Sequence, residues 1–387
     1  MRPKARMSVL DITEWFGETS GGIRTYVLSK ARYVAARPSL RHVLVVPGNQ
    51  NGVHDGDGVR TYRLRGPAIP GQRPYRFMLA TKSIARITRH ERPDLIEVGS
   101  PFLVPWLVHR AVREQEVPLV YFYHTNLPRL LAPLHMRQPW RGWIDGGACR
   151  YMRRLDRLFP VTIVASATAA EELAAQGIDR VVRVPLGVDL DHFTPTRRER
   201  ARETRRLHAL PDTPLAGYVG RFAREKSLDR VLDAWSTVER ETGTRLVLIG
   251  AGPMADRLRA HPYGHRVIFR PFLHDREALA DLVASLDVYV APGPIETFGL
   301  SALEAAACGV PVLSADRGGV AEQVRASGGG RLFVADNAAS LAEEAITLLK
   351  ADLPGLGAKG RRYAAAEHAW DVVFDRLFAV YQSVLPA

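Results

Sequence analysis

Two glutamates, Glu296 and Glu304, are separated by seven residues in the stretch Glu-Thr-Phe-Gly-Leu-Ser-Ala-Leu-Glu. An apolar strand, Val288 to Ala291, runs into a Pro/Gly loop that carries Glu296. Good helix formers from Leu300 to Ala307 follow, stopped by Gly309 and Pro311, and then a second strand, Val312 to Ala315. A helix start leaves backbone N–H groups unpaired and carries partial positive charge, so the turn after Phe298 is a place for phosphate. Gly299 removes a side chain where a phosphate would approach, and Glu296 precedes the helix and reaches the space in front of it. Glu304 shares a helix face with Leu300. A carboxylate there repels a neighbouring phosphate and suits the paired hydroxyls of a ribose. Taken singly, Glu304 is equally a solvated helix residue and Gly299 a plain turn.

Other candidates fall at comparable places. Gly21 and Gly22 follow the first strand, Ser8 to Thr13, and precede a helix pattern from Ile23. His124 closes the strand Leu119 to Tyr123, and Arg221 and Lys226 follow Leu215 to Val219. Ligands of open parallel sheets bind beyond the carboxyl ends of strands, where all of these residues sit. Arg221 as a fork and Lys226 as a point charge suit a diphosphate. No Asp-x-Asp or Walker-type signature accompanies them, so no metal and no cofactor are expected; the basic side chains would neutralise a departing diphosphate. His124 could hydrogen-bond a substrate hydroxyl, although a lone histidine is more often structural.

Positioning these residues requires two series of alternating strands and helices. The first ends near Pro185 and the second begins near Leu215, which predicts an α/β protein with two doubly wound Rossmann-like domains facing a central cleft. The expected boundaries are an N-terminal domain over 1–190, a polar, Arg-rich linker over 191–206, a C-terminal domain over 207–366 and a final helix within 367–387. Asn49 to Gly58 reads as a polar turn region. The 387 residues are enough for two cores. Two cysteines, Cys149 and Cys308, make no disulfide framework or metal spacing, and no apolar run reaches a membrane span. A cytoplasmic setting fits. The net charge of +12 favours anionic partners, or reflects solvated arginines at Arg150–Arg157 and Arg197–Arg206. No nucleic-acid module is present.

The motifs together resemble the retaining, nucleotide-sugar-dependent glycosyltransferases of the GT-B fold, family four. Glu296 to Glu304 matches that family's Glu-x7-Glu motif. Ala307-Cys308-Gly-Val-Pro-Val, Arg317-Gly-Gly, Gly220-Arg221 with Lys226, Pro185-Leu-Gly-Val-Asp189, Gly21-Gly22 and Tyr123-His124-Thr125 match in order. The resemblance implies a donor such as GDP-mannose or a UDP-sugar, held mainly by the second domain. Glu296 would contact sugar hydroxyls, Glu304 the ribose, and Arg221, Lys226 and the glycine loop the diphosphate. Phe298, Gly299 and Leu300 would line the phosphates, and Pro271, Phe272 and Leu273 the base. His124 would lie beside the sugar, and the last helix would cross back to the first domain. The acceptor would be a lipid or glycan. The basic, aromatic-rich Arg129 to Arg157 reads equally as a face for an anionic membrane and as ordinary surface. A catalytically silent nucleotide-sugar-binding protein is the alternative to an enzyme.

Overall fold

The runs Val43–Val46 and Leu246–Ile249 are apolar at every position, and every side chain in both is buried. Such continuous runs belong to parallel strands covered on both faces. A computed structural model describes residues 7–17, 21–56, 58–69, 75–124 and 140–386, with backbone alone for 140–145. The chain forms two compact units, Met1–Pro185 with Trp370–Ala387, and Leu186–Ala369.

The first unit holds strands β1 (Met7–Ile12), β2 (Leu40–Gly48), β3 (Gly52–Gly56), β4 (Val59–Arg65), β5 (Leu95–Val98), β6 (Leu119–Tyr123), β7 (Val161–Val164) and β8 (Val181–Arg183). They form one sheet in the order β3-β4-β2-β1-β5-β6-β7-β8. All pairs are parallel except β3 with β4. The region expected as a polar turn is thus an edge strand. Its residues are exposed or half-buried, so no apolar alternation marks it. The order reverses at β1, which has β2 on one side and β5 on the other.

The second unit holds β9 (Leu215–Val219), β10 (Arg245–Ile249), β11 (Ile268–Arg270), β12 (Val288–Ala291), β13 (Val312–Ala315) and β14 (Gly330–Phe333). All are parallel, in the order β11-β10-β9-β12-β13-β14, and the reversal lies between β9 and β12. Trp235, buried with its indole N–H on the Thr244 carbonyl, anchors the helix Leu228–Thr242 in the core of this unit.

The stretch expected as a linker is built into the second unit. It forms a 3-10 helix, Pro195–Arg200, and an α-helix, Ala201–Leu207. Its arginines act as staples. Arg197 pairs with Asp281 (2.6 Å) and Glu277 (2.5 Å), Arg198 caps the carbonyls of Ala284 and Leu286, and Arg205 binds Asp287 (2.8 Å) and the Ser285 carbonyl. Arg205 is buried. Arginines satisfy helix-end carbonyls in this way because one planar fork donates in several directions. The unit also begins earlier and ends later than expected, because Val188 bridges to Ala369 and the His368 ring contacts the Leu186 carbonyl (2.9 Å).

The final helix, Trp370–Val384, belongs to the first unit. Phe374 packs on Tyr33 and Tyr26, and Tyr381 reaches a buried charge cluster. There the Lys30 ammonium donates to Asp11 (3.0 Å), Glu97 (2.9 Å) and the Tyr381 hydroxyl (2.9 Å). Burial opposes ionisation of Asp11, but Lys30 and His42 beside it prevail and hold its carboxyl down at about 2. Burial dominates at Glu97 and raises it. A buried ammonium costs several kcal/mol unless it is fully paired, and here it has three oxygen partners.

Candidate active site

In the second unit the local sequence positions Glu296 through glycine contacts. Strand β12 ends at Ala291, and the loop from Pro292 turns to the helix Leu300–Ala307. Gly299 caps that helix at φ +88°, and a Cβ there would lie 2.1 Å from Val320 Cγ2. Only glycine meets both demands. The turn Arg317-Gly318-Gly319 lies flush against the loop. The Gly319 N–H donates to the Glu296 carbonyl (2.8 Å), and a Cβ on Gly319 would stand 2.7 Å from Phe298 Cα. The Gln323 amide donates to the Phe298 carbonyl (2.7 Å), and the Phe298 ring is buried against His368. The loop is therefore fixed at three positions, Glu296, Phe298 and Gly299.

Lys226 follows β9, Glu296 follows β12, and the two strands flank the reversal in strand order. Their side chains meet, with Nζ 2.5 Å from Glu296 Oε1, and both are about a quarter exposed. Gly293 allows this approach, since a Cβ on it would be 3.0 Å from the Glu225 carbonyl and 3.3 Å from Lys226 Cα. Arg221 is exposed, and among the described residues its guanidinium has no partner. The Tyr289 hydroxyl lies 3.0 Å from the Val219 carbonyl and 2.7 Å from Ser301 Oγ, tying β9 to the helix start.

Glu304 is buried, in contrast to the solvated reading open to it from sequence. Desolvation pushes its carboxyl up to about 7, against the pull of the Arg276 guanidinium 3.6 Å away. Sequence reasoning missed Arg276, which nothing local marks. Behind the helix, burial pushes the Cys308 thiol up to about 12, so it offers no thiolate. At the end of β11, Pro271 is exposed, Leu273 is half-buried, and the Phe272 ring is 41% exposed with its edge to His274.

In the first unit the helix Gly22–Ala35 starts at the carboxyl end of the sheet without a side-chain cap. A Cβ on Gly21 would meet nothing within 4 Å, so packing does not require glycine there. Glu18 to Ser20 and Thr125 to Pro139 lie outside the described residues. His124 stacks on Phe122 (4.1 Å between centroids) and presents an edge to Tyr26 (5.2 Å). Desolvation, with the Lys30 charge behind it, holds the imidazole down at about 3, so it is neutral at physiological pH. His124 and the helix after Gly21-Gly22 are thus joined through Tyr26. Lys30 was also missed; its signal is a lysine on the buried stripe of Tyr26, Val27, Ala31 and Val34.

A parallel α/β unit with a cation, a carboxylate and a helix start at its strand reversal can hold an anionic nucleotide ligand. Residues 20–192 match the family described as Glycosyltransferase Family 4, and residues 200–366 match Glycosyl transferases group 1. A GDP-mannose-dependent alpha-(1-6)-phosphatidylinositol dimannoside mannosyltransferase of Mycobacterium tuberculosis is 34% identical over 326 residues, 84% of this chain and 83% of that protein. The chain belongs to glycosyltransferase family 4. A GDP-mannose-dependent alpha-mannosyltransferase of Mycolicibacterium smegmatis is 30% identical over 386 residues, 98% of each chain. This family 4 glycosyltransferase has the GT-B fold. The sucrose-phosphate synthase of Thermosynechococcus elongatus superposes with a TM-score of 0.80 at 22% identity, covering 98% of this chain and 99% of that one. The enzyme is a nucleotide-sugar-dependent glycosyltransferase. Among its described residues no helix is long and apolar enough to cross a membrane, and no group of three His, Cys, Asp or Glu side chains is gathered for a metal.

Proposed function

We propose that this glycosyltransferase moves mannose from GDP-mannose to a hydroxyl of a lipid-linked or glycan acceptor, with retention at the anomeric carbon and without a metal. The observation that carries the reading is the Lys226–Glu296 pair beside a fixed helix start at the strand reversal. A cation there neutralises charge as a diphosphate leaves, and Arg221 is available to add its fork. Glu296, held by Lys226 and by its loop, takes sugar hydroxyls. It is not assigned as a covalent nucleophile. The leaving diphosphate accepts the acceptor proton on the same face of the sugar, which accounts for retention. Backbone N–H groups from Phe298 to Leu300 meet phosphate oxygens, Glu304 takes the ribose hydroxyls, and Phe272 with Pro271 and Leu273 holds the base. Within the first unit, neutral His124 and the Gly21-Gly22 turn are the groups suited to sugar hydroxyls and phosphate oxygens. The GDP and mannose assignments rest on the two mycobacterial relatives, whose names carry both.

The acceptor reading extends to its location. Arg150, Arg153, Arg154 and Arg157 are exposed in and just after the helix Trp140–Asp156, which suits an anionic bilayer carrying a lipid acceptor.

The test is turnover. Purified enzyme is incubated with GDP-mannose, UDP-glucose or UDP-galactose and phosphatidylinositol mannosides in anionic vesicles, with and without EDTA. The expected result is EDTA-resistant GDP release and an α-linked product, read by the proton coupling of its anomeric carbon. Tight GDP-mannose binding without turnover on any acceptor would make the chain a silent binding protein. A β-linked product would overturn retention.

A further inference from the structure

The first unit carries a second carboxyl at its strand reversal. Glu14 lies just past the end of β1, and Ser100 just past the end of β5, the two strands between which the order reverses. The Glu14 N–H donates to Ser100 Oγ (2.8 Å), which fixes the backbone. The side chain is only 1% exposed, and among the described residues neither carboxyl oxygen has a hydrogen-bond partner. The adjacent Trp15 has a buried indole N–H that also lacks one.

Around these two groups are rings. Trp15 meets Tyr75 edge to face at 4.8 Å and Phe102 at 5.8 Å. Tyr151 bonds the Pro101 carbonyl (2.9 Å), accepts from the Trp106 indole (3.1 Å), and lies near enough to feel the Glu14 charge. Trp15, Tyr75, Phe102 and Tyr151 are half-buried, and Leu103 beside them is 49% exposed, so the cluster reaches the surface.

Buried acceptors and donors are nearly always satisfied, because an unmade hydrogen bond in a dry site costs about 1–3 kcal/mol. An unsatisfied carboxyl and an unsatisfied N–H on consecutive residues leave bonds for a further group to make. A cluster of aromatic rings with an unpartnered carboxyl and N–H among its residues matches a polyol ring, whose C–H face packs on aromatics while its hydroxyls donate and accept.

We propose that Glu14 and Trp15 form the polar floor of the acceptor subsite, with the Glu14 carboxyl bonding hydroxyls of a sugar or inositol ring packed against Trp15, Tyr75 and Phe102. The assignment rests on the glycosyltransferase reading only in naming the occupant as acceptor; Glu14 then sets which hydroxylated ring is taken.

The test uses the full chain with methyl α-D-mannopyranoside and myo-inositol as ligands, read by saturation-transfer NMR with and without GDP. GDP affinity is measured separately by calorimetry. Wild-type enzyme should transfer saturation to the ring protons of at least one polyol. Glu14→Leu should weaken that binding about tenfold or more, and Glu14→Gln, which keeps one donor and one acceptor, should lose less. Glu14→Leu should also melt no lower than wild type, since it removes an unsatisfied carboxyl. The proposal is overturned by equal polyol binding in wild type and Glu14→Leu, by no polyol signal in wild type, or by a lower melting temperature of Glu14→Leu. Polyol binding without any GDP binding would instead sink the donor reading and leave this one standing.

Discussion

Each unit buries a glutamate just beyond the strands at its reversal, Glu14 in the first and Glu304 in the second. Burial pushes both carboxyls up to about 7. Their surroundings differ. Glu304 has the Arg276 guanidinium at 3.6 Å, whereas Glu14 has no hydrogen-bond partner among the described residues. The same contrast holds for the exposed groups, since Glu296 is already paired with Lys226. The second unit thus holds its charges in fixed opposition before a ligand arrives, as suits a ligand whose charges are invariant, a nucleoside diphosphate. The first unit holds polar groups unsatisfied, as suits an occupant recognised by its hydroxyls.

The largest effect tests the paired side. Glu296→Ala should lower transfer by about a thousandfold or more. Its melting temperature should hardly move, because a partly exposed ion pair contributes about 1 kcal/mol or less. Retained turnover would break the comparison at its centre. Gly319→Ala should come next. Its new Cβ has no room beside Phe298 Cα and would displace the Glu296 loop. A roughly tenfold to hundredfold fall in kcat is expected, with an unfolding free energy, read from denaturant titration, lowered by about 1–3 kcal/mol. Lys226→Ala should raise the donor KM by about tenfold, and steeper salt dependence in wild type than in the variant would confirm a charge role.

The smallest effect sharpens the unpaired side. At pH below 4.5 Glu14 is protonated folded and unfolded, so it does not affect stability. Between 4.5 and about 7 the unfolded chain ionises first, and stability falls as pH rises. Above about 7 the loss is complete, at most about 3 kcal/mol. Melting curves of wild type and Glu14→Gln should therefore diverge from pH 5 to 7 and run parallel from 7 to 9. Divergence that continued above pH 8 would contradict this account.

The architecture of the second unit was legible because its signals are local. Strand, glycine, helix and stop all lie within the stretch from Val288 to Val312, and the elements form where that pattern places them. The arginines of 197–205 misled because their partners, Glu277, Asp281 and Asp287, are distant in sequence. An Arg-rich run looks solvated until tertiary pairing is known. Strand β3 was missed because an exposed edge needs no apolar alternation. Glu14 has no motif, and only burial without a partner distinguishes it. Glu304 was visible as a carboxylate on the right helix face, but not its burial or Arg276.

The Lys30 cluster has a consequence for synthesis. Its third oxygen comes from Tyr381, 351 positions after Lys30 in the sequence. Segment 186–369 is continuous and can close its sheet as it emerges. The first unit cannot. Its Lys30 ammonium lacks the Tyr381 oxygen until the helix Trp370–Val384 has been translated, after the whole of segment 186–369. A chain truncated before Trp370 would leave the early half, not the late one, as the unfinished species exposed to chaperones and proteases.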